Sequence, residues 1–140
     1  MNRIIKFRGK DLFGTKWLYG DLVQDRDLKY IVNVNERDHF EHKMVKRETI
    51  GQFTGLLDRN GKEIYEGDIL ELAGVESERL EVRFVRGVFA FLYGGNLDEE
   101  CPLNAPTHCC VEVIGNIHDN TELLKGLKRK KTIGIKEDEQ

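Results

Sequence analysis

Serine, proline and cysteine are all scarce in this 140-residue sequence. Ser77 is the one serine. It sits in the acidic stretch Val75-Glu76-Ser77-Glu78, without the Gly-x-Ser-x-Gly turn that presents a nucleophilic hydroxyl, so serine hydrolase chemistry finds no support. Both prolines, Pro102 and Pro106, fall in residues 97–108, which read as a loop. The three cysteines, Cys101, Cys109 and Cys110, are odd in number and two are adjacent. The opening residues Met1–Lys6 carry no apolar signal segment, so a disulfide framework is not expected and a reducing, cytoplasmic compartment fits. Cys101, His108, Cys109, Cys110 and His118 do not make a zinc site by spacing. Adjacent residues on a strand point to opposite faces, whereas zinc thiolates are usually paired two to four residues apart on a turn. A nucleophilic pair of Cys109 with His118 is selected by nothing in the sequence, and no metal or cofactor is expected.

Long apolar runs are also missing. The longest, Val88–Tyr93, falls far short of the ~20 residues that span a bilayer, so no membrane partner is expected. Nor is there an excess of positive charge: the net charge is −3. Residues 1–50 carry +3, residues 51–124 carry −9 and residues 125–140 carry +3. A dedicated duplex-DNA binder neutralises a dense row of phosphates and usually shows a strongly basic domain. The run Lys128-Arg129-Lys130-Lys131 is the one tight basic cluster and reads as a solvated tail. Gly94-Gly95 lacks the lysine and helix start of a phosphate loop.

What remains is a chain of short extended segments. Residues 4–8, 17–23 and 30–34 alternate or are rich in β-branched side chains, and the polar stretch Asn35–Glu41 reads as a loop. Gly51–Leu57 runs into Asp58-Arg59-Asn60-Gly61, a turn whose Asn-Gly step tolerates left-handed backbone. Leu80–Val85 and Val88–Tyr93 form the clearest hairpin, closed by Arg86-Gly87. Leu80, Val82 and Phe84 are predicted on a core face, with Glu81 and Arg83 on the opposite, solvent face. Cys110–Ile117 is a final strand. Asp119 or Asn120 then predicts a helix cap over residues 119–131, with Leu123, Leu124 and Leu127 as its apolar stripe, and 132–140 as a frayed tail. The predicted fold is mainly β, with small barrel-like antiparallel sheets and a short C-terminal α-helix. A single domain over 1–140 is expected, its β-rich body covering 1–118, with two small lobes joined near residue 51 left open.

Three segments carry a resemblance. They are Ile5-Lys6-Phe7-Arg8, the block Ile50–Ile69 (IGQFTGLLDRNGKEIYEGDI), and Val111–Leu124 (VEVIGNIHDNTELL). In that order they resemble the YopX family, small proteins found largely in phages and prophages. Thr121 stands where the family pattern often has proline, a position where a helix start tolerates either. The resemblance implies a mainly β fold and a phage or prophage setting in a bacterial host cell. It implies no catalytic residues.

The signature can be read two ways. As backbone devices, Gly51, Gly55, Asn60, Gly61 and Gly67 shape turns, Ile64 and Tyr65 pack at the barrel edge, and Asp68 accepts backbone N–H groups in its turn, with Phe53, Asp58, Gly115 and Asn116 completing the structural signature. As chemistry, Asp58, Glu63, Glu66 and Asp68 would bind a cation or act as acid and base. Asp58-x-Asn60-Gly61 resembles the start of a calcium loop, but its twelfth position would be Ile69, which cannot ligate. The structural reading is preferred. A candidate binding face is Arg83 with Phe89, Phe91 and Tyr93, since aromatic and basic side chains on one sheet face suit single-stranded nucleic acid. The alternative is that these aromatics are core. Function is expected to be a non-enzymatic binding or assembly module, as a homo-oligomer or with a protein partner. A weak single-stranded nucleic-acid binder comes second and an enzyme of unassigned class third.

Overall fold

The computed structural model describes residues 2–72, 75–97, 100–102 and 110–125. It divides at Gly55 into two compact units.

The first unit is an antiparallel meander. β1 (Phe7–Lys10), β2 (Trp17–Asp25), β3 (Leu28–Val34), β4 (Phe40–Met44) and β5 (Gly51–Leu57) lie in the order β4-β3-β2-β1-β5. Its turns carry the left-handed residues: Gly14, Arg26 and Asp38 all have positive φ. At the β1–β2 turn the Asp11 carboxylate accepts from the Thr15 N–H and hydroxyl, both at 2.8 Å. The Thr15 N–H bond leads the effects that hold this carboxyl below its ordinary pKa. The packed centre is small. Ile31, Val45 and Phe53 are buried, and Gly9 lets Val45 close on the backbone of β1, where a Cβ would stand 3.1 Å from it. Gly20 serves the same end in β2, because a Cβ there would collide with the Val32 carbonyl.

β5 passes through Gly55 (φ +90°) into the second unit, where β6 (Glu63–Tyr65) follows it in the strand order. The main sheet of this unit has the order β10-β9-β8-β7-β11, formed by β7 (Asp68–Leu72), β8 (Val75–Val85), β9 (Val88–Tyr93), β10 (Glu100–Pro102) and β11 (Val111–Asn116). Ile64, Leu70, Leu80, Val82, Phe91 and Val111 make its core, with Leu56, Leu72, Tyr93 and Val113 packed around them. Across the β8–β9 hairpin Leu80 faces Tyr93, Val82 faces Phe91 and Phe84 faces Phe89, so these six share one face.

Four expectations change. No barrel closes among the described residues: both sheets are open, and β6 and β10, at two of their ends, are only three residues long. The loop expected over Asn35–Glu41 is a turn that gives way to β4 at Phe40. β4 is exposed almost throughout, so it leaves no alternation in the sequence. The loop expected over 97–108 contains β10, paired with β9; residues 98–99 and 103–109 lie outside those described. No C-terminal α-helix is present among the described residues. Through Lys125 the chain makes a 3-10 turn, with Leu123, Leu124 and Lys125 N–H groups each donating to the carbonyl three residues back. Asn120 does not cap it, because its Oδ1 accepts instead from the Asn116 N–H at 3.2 Å. Residues 126–140, including Leu127, lie outside those described.

That turn has a packing role. Glu81 is buried on the face of β8 expected to meet solvent, beside the fully buried Ala90 and Leu92. The Leu123–Leu124 segment reaches this face: Arg79 Nη1 donates to the Leu123 carbonyl at 3.0 Å, and a Cβ on Gly95 would touch both Glu81 and Leu124. Both faces of the β8–β9 hairpin are therefore covered at their middle, which a period-2 pattern with one apolar face does not announce.

Candidate functional site

Signature residues shape three turns of the second unit. Asp58 is only 6% exposed. Its Oδ1 accepts from the N–H groups of Asn60 (2.8 Å) and Lys62 (2.9 Å), and its Oδ2 accepts from the N–H of Val113 on β11 (2.9 Å). The Arg59 N–H donates to the Val111 carbonyl alongside (3.0 Å). One carboxylate thus shapes the Asn60-Gly61 turn and ties it to a strand 55 residues later. Burial pushes the Asp58 carboxyl up, but the three backbone donors, with Lys62 nearby, outweigh it and hold the carboxyl below its ordinary pKa.

Asp68 works in the same way at the next turn. Its Oδ2 accepts from the Tyr65 N–H at 2.7 Å in a fully buried setting, and the Tyr65 hydroxyl donates to Glu63 Oε1 (2.9 Å). Gly67, at φ +95°, donates to the Val82 carbonyl and accepts from the Ile117 N–H. At the end of β11 the Asn116 Oδ1 accepts from the N–H groups of His118 and Asp119, both at 2.9 Å. Gly115 leaves room for Asn120, whose Oδ1 would lie 2.6 Å from a Cβ at that position. Gly51 is buried opposite Arg8, and Phe53 is buried two residues on. These carboxylates serve the backbone. Among the described residues no three His, Cys, Asp or Glu side chains cluster in a way that could hold a metal ion.

The aromatic row is divided. Phe91 is fully buried in the core, Tyr93 packs against it, and the half-buried Phe89 meets the more exposed Phe84 edge-on at 5.0 Å. Arg83 lies on the opposite face, paired two-fold with Glu81 at 2.9 and 3.1 Å. The register therefore does not bring Arg83 onto the face of Phe89, Phe91 and Tyr93.

A basic and aromatic row does exist in the first unit, where sequence reasoning did not place one. Arg8 faces Tyr19, Lys10 faces Trp17, and Lys6 is bonded to Phe53 through its carbonyl. The Arg8 guanidinium lies 4.6 Å from the Trp17 ring centre and Lys10 Nζ lies 5.6 Å from it. Lys6 Nζ lies 5.8 Å from the Phe53 ring. The signal for this row was the alternation Lys6-x-Arg8-x-Lys10 against Trp17-x-Tyr19, which becomes meaningful once β1 and β2 are put in register. Arg8 and Phe53 are buried, while Tyr19 is 44% exposed.

The arrangement of two open antiparallel sheets carrying these pinned turns can be compared with known proteins. The sequence profile of the YopX protein family matches residues 6–125, which takes in the first recognised segment from Lys6 onward and the other two whole. The chain belongs to the YopX family. Among solved structures, protein EF1440 from Enterococcus faecalis is similar at 28% identity and a TM-score of 0.55, over 89% of this chain and 100% of its own. The protein yopX from Bacillus subtilis is 21% identical with a TM-score of 0.52, over 88% of this chain and 98% of its own, and supports the fold. Curated proteins include no match. The YopX signature in this chain thus includes the Asp58, Asp68 and Asn116 turns, in each of which a side chain accepts backbone N–H groups. Among the described residues no helix is long and apolar enough to cross a membrane.

Proposed function

We propose that this YopX chain is a non-enzymatic assembly module that acts by self-association. The observation that supports this is the first unit's surface. Phe13 at the β1–β2 turn is 86% exposed and Phe40 on β4 is 80% exposed, with exposed Leu12 next to Phe13 in sequence and exposed Val34 opposite Phe40 on β3. Isolated exposed apolar residues are ordinary, but large aromatic side chains left in water at the rim of a thin sheet suit a surface that becomes covered. The engagement of Asp58 and Asp68 by backbone donors supports the non-enzymatic part. The family resemblance supports a phage or prophage setting and the cytoplasm of a bacterial host as part of the same proposal. Sedimentation of the purified full chain from dilute to concentrated solution tests it. Concentration-dependent association is expected, and a monomer at every concentration would overturn the assembly role.

Weak binding of single-stranded nucleic acid is a second reading, favoured by the Lys6, Arg8, Lys10, Trp17 and Tyr19 row. Stacking and phosphate attraction would both fall on Tyr19 and Lys10. Fluorescence anisotropy with a labelled thymidine oligonucleotide is expected to show binding at low salt that weakens as salt rises and on Tyr19→Ala. Absence of binding at low salt, where phosphate attraction is strongest, removes this reading.

A further inference from the structure

β4 ends the strand order of the first unit, and among the described residues no strand lies beyond it. It is five residues long and pairs with β3 without a bulge. The direction of its backbone groups follows from the hydrogen bonds at its two ends. The Val45 N–H donates to the Lys29 carbonyl at 2.9 Å, and the His39 carbonyl accepts from the Asn35 N–H at 2.8 Å. In an antiparallel ladder alternate residues face the same neighbour, so His39, Glu41, Lys43 and Val45 turn their backbone groups toward β3. Phe40, His42 and Met44 turn theirs outward.

An outward-facing edge of this kind accepts another strand. Its sequence, Phe40-Glu41-His42-Lys43-Met44, is complementary to itself when reversed. We propose that β4 pairs antiparallel with β4 of a second copy, His42 opposite His42, to form a two-fold dimer with one continuous sheet. The inference rests on the assembly reading and names its interface.

The register is selected by charge. Three neighbouring registers satisfy the outward backbone groups. Centring on Glu41 sets Glu41 against Glu41, and centring on Lys43 sets Lys43 against Lys43. Centring on His42 sets Glu41 against Lys43 of the second copy twice, because a two-fold axis repeats each contact. Opposite charges across a strand pair stabilise it and like charges oppose it. Glu41 and Lys43 are both exposed, and Glu41 accepts from the Asn35 amide through Oε2 (3.0 Å). On the other face the same register places exposed Phe40 against Met44 of the second copy. Val34 faces Phe40 and Tyr30 faces Met44 within each copy, so the row Val34-Phe40 continues into Met44-Tyr30 of its mate. The backbone of Phe40, His42 and Met44 then forms hydrogen-bonded pairs along the whole contact.

Charge reversal in the full-length chain tests this, with the dimer dissociation constant read by sedimentation. Glu41→Lys and Lys43→Glu each replace two attractive pairs by two repulsive ones and are expected to weaken the dimer by about tenfold or more. The double reversal Glu41→Lys/Lys43→Glu restores the pairing and is expected to return to near the parent value. His42→Pro removes an outward N–H and leaves the bonds to β3, and is expected to abolish the dimer. All three positions are exposed, and thermal melts of the variants report folding independently. An assembly that ignores both single reversals, or a double reversal that fails to recover, overturns the β4 interface and leaves the assembly reading standing. A parent chain that is monomeric throughout overturns both.

Discussion

Replacing Asp58 with alanine is expected to lower the unfolding free energy of the second unit by about 2–4 kcal/mol, since partly buried donors lose their acceptor at roughly 1 kcal/mol or more each. The N–H groups of Asn60, Lys62 and Val113 all end on this one carboxylate, so the substitution opens the turn and loosens its tie to β11 together. Asp58→Asn keeps one acceptor oxygen and is expected to fall between the parent and the alanine variant. The charge adds a pH dependence of known sign. Because the folded carboxyl sits below its ordinary pKa, its contribution is fully present above the unfolded value and is lost as pH falls through the folded one. Denaturant titrations at a series of pH values below about 5 should show the parent losing stability more steeply than Asp58→Asn. Equal slopes for the two proteins would mean that the carboxylate is not held in this way.

Phe91→Ala is expected to cost about 3–5 kcal/mol, the range for emptying a fully buried aromatic site. Phe91 has no exposed surface and contacts a core of Ile64, Leu70, Leu80, Val82 and Val111. Phe84→Ala, on the same face but half in solvent, is expected to cost about 1 kcal/mol, mostly through its edge contact with Phe89. Chemical denaturation of both variants checks the contrast. Similar losses for the two would show that the row from Phe84 to Tyr93 is not graded from surface to core. The contrast also bears on function, because a ligand surface on this strand would have to use Phe84 and Phe89 and could not use Phe91.

The candidate site was legible to differing degrees. The Asn60-Gly61 turn, the hairpin at Arg86-Gly87 and the role of Gly67 follow from local chemistry, since left-handed backbone selects Gly and Asn wherever it occurs. The sequence reading gives the acceptor role to Asp68; Asp58, at the first position of its turn, takes the same role. Its donor Val113 was not readable, because nothing local links positions 55 apart. The barrel and the terminal helix were misread for a related reason. Leu123 and Leu124 carry a helix-like spacing, yet Arg79 and the Gly95 position draw that segment across a sheet face, and Asn120 gives its side chain to Asn116.

By itself the sequence determined the mainly β class, the positions of the tight turns, the family, and the absence of a serine elbow or long apolar run. These depend on side-chain type and near-neighbour spacing. Only tertiary structure decided which strands lie side by side, and therefore which side chains share a face. Register put Lys6, Arg8 and Lys10 beside Trp17, Tyr19 and Phe53, separated Arg83 from the aromatic row, and left β4 at the end of its strand order among the described residues. A strand slipped by one residue exchanges its faces, so composition and pattern alone leave such juxtapositions open until the neighbours are known.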